Sequence, residues 1–347
     1  MRDGILARLA RLGAAAAATA AIVATAVPAA AQTTEMKLGF ITINDTQHES
    51  AKYFAEEVAK RSGGAVQAKL FPAGQLGTIA RQIEGLQFGT QEAFYTPPGF
   101  MVGINPALQV GDAPGLFDSI WHQHKALNHP LVRDKLLTAA ERANILGMYL
   151  WCASTTAIVT RNPVRTLDDL KGLKLRVLAT KVEVALVRAY GATGVPMDFT
   201  EVVPAIQNGT VDGTRIAKAV LVPSRFYTVA KHMYDETTGY LPSGLWVSKG
   251  WFEKLPEAQR QAIREASEAV TDRSGQFAVA FAARGDAAWR ENGGEINRPS
   301  PADRAELDRR ARAVSEETLT ADPAVKAMYE LMKQAADATR GAKPPSQ

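Results

Sequence analysis

The chain has 347 residues, 46% of them hydrophobic, with 40 Lys+Arg against 36 Asp+Glu for a formal net charge of +4. That length and apolar mass suit one large globular unit or two medium lobes, and they exclude disorder, collagen-like and disulfide-rich classes. The single cysteine, Cys152, cannot form an intrachain disulfide, so stability rests on packing.

Arg2, Arg8 and Arg11 precede an alanine-rich apolar stretch at 13–31 that closes in Pro28, Ala29, Ala30 and Ala31. A basic start, an apolar middle and a small-residue end predict a secretory signal peptide, 1–31, cleaved after Ala31. A run of about 20 apolar residues also has the length of a membrane anchor. Alanine supplies little transfer energy, however, and polar Gln32, Thr33, Thr34 and Glu35 follow at once. No cysteine follows the cleavage point to carry a lipid, so no stable membrane anchor is expected. Cleavage removes Arg2, Arg8, Arg11 and Asp3, which makes the exported chain less basic than the whole sequence. No cluster of Lys/Arg is interleaved with aromatics, and nucleic acid is not an expected partner.

Residues 38–43 predict a buried strand. Thr46 and Glu49 have the spacing of a capping box. Ala51, Phe54, Ala55 and Val58 then form the core stripe of a helix stopped by Ser62, Gly63 and Gly64. A strand at 65–71, a helix carrying Ile79, Ile83 and Leu86, and a strand ending near Tyr95 complete the unit. The same order returns with a strand at 173–178 and a second possible capping box, Thr180 and Glu183. A helix with Val182, Leu186 and Tyr190 follows, then a strand at 195–199, a short helix at 201–208 and a strand at 211–216. Gln87, Gly89 and Thr90 in the first unit align with Gln207, Gly209 and Thr210 in the second.

Strands alternating with helices imply parallel sheets covered by helices, and two such units imply two α/β lobes. Ligands of open α/β sheets lie beyond the carboxyl ends of the strands, near helix N-termini, so a cleft between the lobes is the expected site. Residues 256–292 predict one long helix, roughly 50 Å at about 1.5 Å per residue, enough to back both lobes. Two further amphipathic helices are expected at 303–315 and 323–338.

No dinucleotide-binding glycine fingerprint, P-loop or nucleophile elbow is present. His122 and His124 fall on a predicted helix about 200° apart and cannot share an ion. With His129, they are expected to face solvent or cap the helix. Cys152 sits in an apolar, strand-like run at 147–152 and is expected to be a buried, inert thiol. Glu56 with Glu57, and Asp168 with Asp169, are neighbours in sequence only and give no support to acid–base chemistry. Arg176 is more informative, because it interrupts an apolar strand. It either pairs with a buried acid or projects into the cleft, where its planar fork matches a carboxylate.

Three segments carry a resemblance to the solute-binding proteins of TRAP (tripartite ATP-independent periplasmic) transporters. The first is 71–77, with Pro72, Gln75, Leu76 and Gly77. The second is 167–177, from Leu167, Asp168 and Asp169 through Gly172 to Arg176 and Val177. The third is 199–213, with Phe199, Glu201 and Val202 followed by Gln207, Asn208, Gly209, Val211, Asp212 and Gly213. In this order they are specific, and the resemblance spans essentially the whole mature chain.

The resemblance implies a two-lobed α/β periplasmic-binding-protein (Venus-flytrap) fold with a long helix spanning both lobes. Lobe I would comprise 32–153 and about 245–280, and lobe II 154–244 and about 281–347. It implies a periplasmic receptor that delivers a ligand, commonly an organic acid, to a sodium-coupled TRAP membrane permease, with no cofactor, metal or catalysis. Arg176 matches the family arginine that pairs with the ligand carboxylate, and Phe199 matches a phenylalanine that often lines the pocket.

The departures matter as well. Many members carry a second arginine upstream of the strand arginine, where this chain reads Ser154, Thr155 and Thr156. Thr156 offers one neutral hydrogen bond. An asparagine common after the third segment is replaced by Ile216. Both changes make the pocket more apolar and predict a monocarboxylate with an apolar or aromatic body. Tyr95, Trp151, Phe199 and Trp246 are candidate walls, and Arg215 is a candidate substitute charge. Gln75 and Asn44 complete the candidate set. The rival readings are an exported ligand sensor, or a cleft-type hydrolase or lyase that lacks a recognisable nucleophile, base or metal set.

Overall fold

The computed structural model describes residues 33–345, and the signal-peptide expectation lies outside them. In chain order come β1 (Thr34–Gly39), α1 (Thr46–Arg61), β2 (Val66–Phe71), α2 (Ile79–Phe88) and β3 (Ala93–Thr96). Then follow α3 (Ile120–Leu127), α4 (Arg133–Leu137), β4 (Ile145–Thr160), β5 (Lys174–Val177), α5 (Lys181–Ala189), β6 (Thr193–Pro196), α6 (Val202–Gln207) and β7 (Gly213–Ala217). The remainder is β8 (His232–Tyr234), β9 (Tyr240–Ser248), α7 (Lys249–Lys254), α8 (Glu257–Glu291), β10 (Glu295–Asn297), α9 (Pro301–Thr320) and α10 (Pro323–Thr339).

The two half-copies are present with matching topology. β1 pairs in parallel with β2 and β3, and β5 pairs in parallel with β6 and β7. Two antiparallel strands join them, giving the order β2-β1-β3-β9-β4-β7-β5-β6. β4 is the connection: Ile145 to Thr155 pair with β9, and from Thr156 onward the partner is β7. Periodicity exposes only its middle, because bulges between Gly147 and Tyr149 and between Cys152 and Ser154 break the two-residue alternation. Gly147 is required there, since a Cβ would lie 2.8 Å from Leu137 Cδ2 and 2.9 Å from Trp246.

Several element ends differ from the sequence reading, each for a local reason. The first strand ends at Gly39 because the carbonyls of Phe40 and Thr42 accept from Gly74 and Ala73 of the turn after β2. α1 is capped by Asp45, whose carboxylate accepts from the His48 N–H at 3.1 Å, while the Thr46 hydroxyl donates to the Ala153 carbonyl. The expected Thr46–Glu49 box is therefore not formed. The strand predicted at 195–199 is Thr193–Pro196, because Asp198 instead caps the next turn through the Thr200 N–H.

His122 and His124 are buried rather than solvent-facing. His122 Nε2 lies 2.7 Å from the Ala336 carbonyl, and His124 Nε2 lies 2.8 Å from Asp272 Oδ1, so they fasten α10 and α8 to α3. Cys152 is fully buried, and burial pushes its thiol pKa up.

α8 runs for 35 residues as a single helix. Its Ile263, Ala266 and Val270 pack with Phe54, Val58, Tyr149 and Trp151 of the first lobe. Trp289 packs with Val159, Ile206, Phe226 and Met233 of the second. The long helix thus spans both lobes. Among the described residues, no helix is long and apolar enough to cross a membrane.

Candidate functional site

The carboxyl ends of the parallel strands from both lobes meet around a cavity of about 80 Å³. The first lobe supplies Ile41, Gln47, Tyr95, Pro97 and Phe100, and the second supplies Thr156, Arg176, Glu183, Phe199, Arg215 and Ile216. Most of the lining is apolar. Of the sequence candidates, Tyr95, Thr156, Arg176, Phe199 and Arg215 are brought together here.

Arg176 is placed by β5, where Leu175 and Val177 are fully buried and Arg176 itself is 3% exposed. Its Nε and Nη2 both donate to the Met197 carbonyl, at 3.0 and 2.9 Å. No carboxylate of the described residues comes within 4.0 Å of it. Burial pulls its pKa down to about 10, against the more distant charges of Asp198 and Glu183 that favour the cation. Of the two readings left open by the sequence, the structure gives a guanidinium lining the cavity without an acid partner.

Arg215, on β7, is the opposite case. Burial disfavours its charge, but Glu183 and Glu236 outweigh burial and raise its pKa. Its Nη1 donates to Glu183 Oε1, its Nε to Glu236 Oε1 at 2.9 Å, and its Nη2 to the Thr156 hydroxyl at 2.8 Å. Arg215 does line the cavity, as the expectation of a substitute charge requires, but its guanidinium is already paired with Glu183 and Glu236. Thr156 is also committed, because its hydroxyl accepts from Arg215 and lies 3.0 Å from the Gly239 carbonyl.

Four further candidates stand elsewhere. Trp151 and Trp246 are fully buried core residues on β4 and β9, and the Trp246 indole donates to the Thr96 carbonyl at 3.1 Å. Neither lines the cavity. Tyr95 does, with its ring 5.3 Å from Trp151 and its hydroxyl paired with that of Tyr149. Gln75 is exposed in the turn after β2. Asn44, exposed at a positive φ of 55°, faces a separate cavity of about 660 Å³ lined by Ser154, Lys218, Phe281 and Trp289.

The sequence reading missed Gln47, Glu183 and Glu236 as site residues. Gln47 lines the cavity while its amide donates to Ser243 Oγ at 3.1 Å. Glu183 was recognised only as half of a capping box. Thr180 does cap α5 by accepting from the Glu183 N–H, but the carboxylate turns to Arg215. Glu236 also accepts from the Thr238 N–H at 2.8 Å, which fixes the acid against Arg215. An acid in the first helical turn after an arginine-bearing strand was the available signal for Glu183. Nothing local marks Glu236. The described residues contain no group of three or more His, Cys, Asp or Glu suited to a metal ion.

Residues 40–322 match the family described as bacterial extracellular solute-binding protein, family 7. A solute-binding protein of Verminephrobacter eiseniae is 32% identical over 69% of this chain and 71% of its own length. The 2,3-diketo-L-gulonate-binding periplasmic protein of Escherichia coli is 30% identical over 67% of this chain and 72% of its own. The fold is shared with a TRAP periplasmic solute binding protein from Desulfovibrio salexigens, solved with bound orotic acid. The TM-score is 0.83 at 22% identity, covering 88% of this chain and 100% of that one.

Proposed function

The chain belongs to the bacterial extracellular solute-binding proteins of family 7, and from that membership we propose that it captures an organic acid between its lobes and delivers it to TRAP membrane permease subunits. The observation that carries this reading is Arg176, a buried guanidinium lining the cavity with no carboxylate of the described residues against it. A buried cation without a counter-charge is costly, and a ligand carboxylate supplies the missing partner with charge-assisted hydrogen bonds.

The body of the ligand is apolar or aromatic and carries one carboxylate on the Arg176 side. Ile41, Phe100, Phe199 and Ile216 support this reading, because they line the same cavity as Arg176 with hydrocarbon. Arg215 and Thr156 support it too, since both are spent on internal partners and offer no second grip. Lobe I takes in 32–153 and about 245–280, and lobe II takes in 154–244 and about 281–347. The lobes close over the ligand about β4, β9 and α8, expelling water and strengthening the ion pair. Residues 1–31 act as the export signal for the periplasm, and the protein performs no chemistry on its cargo.

The test is thermal unfolding of the purified protein against organic acids, sugars and amino acids, before and after ligand is stripped by unfolding and refolding. A ligand at 100 times its Kd stabilises by about 2.7 kcal/mol. A change in melting temperature with carboxylates that disappears in Arg176→Ala supports the reading. A change with neutral sugars alone, or one unaltered in Arg176→Ala, refutes it.

A further inference from the structure

Arg176 and Glu183 line the same cavity, the first from β5 and the second from the opening turn of α5. Glu183 is 7% exposed. Its Oε1 is taken by Arg215 Nη1, whereas Oε2 receives no hydrogen bond from any described residue. Arg215 is held between two acids, Glu183 and Glu236, so this cluster keeps one negative charge in excess. Burial and the nearby Glu183 raise the pKa of Asp112, against the opposing pull of Arg215, so a further negative charge beside the cluster is disfavoured. The cavity therefore has two poles: a guanidinium lacking an anion, and a carboxylate oxygen lacking a donor.

A ligand carboxylate on Arg176 satisfies the first pole and cancels the cation that offset the second. Once water is expelled, Glu183 Oε2 is a buried charged acceptor that needs an O–H or N–H. A second ligand carboxylate near it meets like charge at low dielectric. Sites built around a buried polar group reject analogues that leave it unpaired far more strongly than apolar walls reject a change of shape.

Resting on the carboxylate-receptor reading above, we infer that Glu183 sets the specificity of the cavity: it selects an organic acid whose body carries a hydroxyl or ammonium group remote from the carboxylate, and it excludes dicarboxylates. The ligand body remains largely hydrocarbon, with one donor at its far end.

Calorimetric titration of the stripped full-length protein with two matched series tests this. One series is butyrate, 4-hydroxybutyrate, 4-aminobutyrate and succinate. The other is benzoate, 4-hydroxybenzoate, 4-(aminomethyl)benzoate and terephthalate. The donor-bearing members of at least one series are expected to bind about tenfold or more tighter than the parent acid, with no measurable binding of the dicarboxylate. Glu183→Gln, which still accepts from Arg215, is expected to reduce that preference to less than about threefold and to admit the dicarboxylate. If Glu183→Gln does not fold, the order within the wild-type series decides alone. Parent acid or dicarboxylate binding as tightly as the donor-bearing acid overturns the inference and leaves the receptor reading standing. So does an unchanged order in a folded Glu183→Gln variant. No binding of any acid to the wild type overturns the receptor reading itself, and this inference with it.

Discussion

Arg176 sets two of its nitrogens, Nε and Nη2, on the single carbonyl of Met197, at 3.0 and 2.9 Å, and Nη1 on no described residue. One neutral carbonyl orients the guanidinium without neutralising it. On the proposed reading, the geometry holds the fork in place before a ligand arrives, and pre-organisation of this kind lowers the cost of binding. The empty receptor then bears the cost of burying an unpaired cation.

That balance predicts opposite effects on stability and binding in one variant. Arg176→Met removes the buried charge and fills similar volume, so the ligand-free protein gains about 1 kcal/mol or more in urea unfolding. Affinity for organic acids falls roughly 100-fold, the loss of hydrogen bonds to a charged group. Arg176→Lys keeps the charge but loses the fork, and its affinity lies between the two. A ligand-free Arg176→Met less stable than the wild type contradicts this account.

Arg215 predicts the reverse. Arg215→Met leaves Glu183 and Glu236 buried without the guanidinium that both are paired with. The expected loss is about 3–5 kcal/mol, read as a lower urea midpoint. A loss below about 1 kcal/mol indicates that the two acids are compensated elsewhere.

Asp112 gives a pH-dependent prediction. Burial, reinforced by Glu183, raises its pKa well above 3.8, and its Oδ2 is buried without a hydrogen-bond partner. Above pH 3.8 the unfolded chain releases this proton while the native state retains it, so native stability falls as pH rises toward the raised value. Asp112→Asn removes that penalty. It is expected to stabilise the protein by about 1 kcal/mol or more at neutral pH, a tenfold weakening of the acid on folding being worth about 1.36 kcal/mol. The gain vanishes below pH 3.8, where the carboxyl is protonated in the folded and unfolded chain alike. Thermal melts of both proteins across this range check the sign.

Trp289 fastens the far end of α8 to the second lobe, fully packed in the core and donating its indole N–H to the Glu295 carbonyl at 3.2 Å. Trp289→Ala is expected to cost about 3–5 kcal/mol. Because it detaches the long helix from one lobe only, unfolding followed by two spectroscopic probes should separate into two transitions. A single transition with an unchanged midpoint removes α8 from the coupling of the lobes.

The alternation of strands and helices, the repeated unit and the long helix were all legible in the sequence, because each is a local pattern of apolar residues and caps. α8 was read to within a residue at either end, since no proline interrupts it. The joining strands were less visible. β4 carries two bulges and changes partner at Thr156, and neither property has a signature of its own in the residues. Trp151 and Trp246 illustrate the same limit: aromatic residues suit a pocket wall and a core equally well, and only the packing of β4 against β9 decided for the core.

The two arginines show where the boundary lies. Each is a basic residue inside an apolar strand, Arg176 in β5 and Arg215 in β7, and each is 3% exposed. That a charge is placed in each strand follows from the sequence alone. Whether that charge is free or spent depends on carboxylates far along the chain. Glu183 reaches Arg215 from 32 positions away and Glu236 from 21, while no carboxylate of the described residues reaches Arg176. Charge compensation acts through space over a few ångströms, and only the tertiary structure decides which acids come that close.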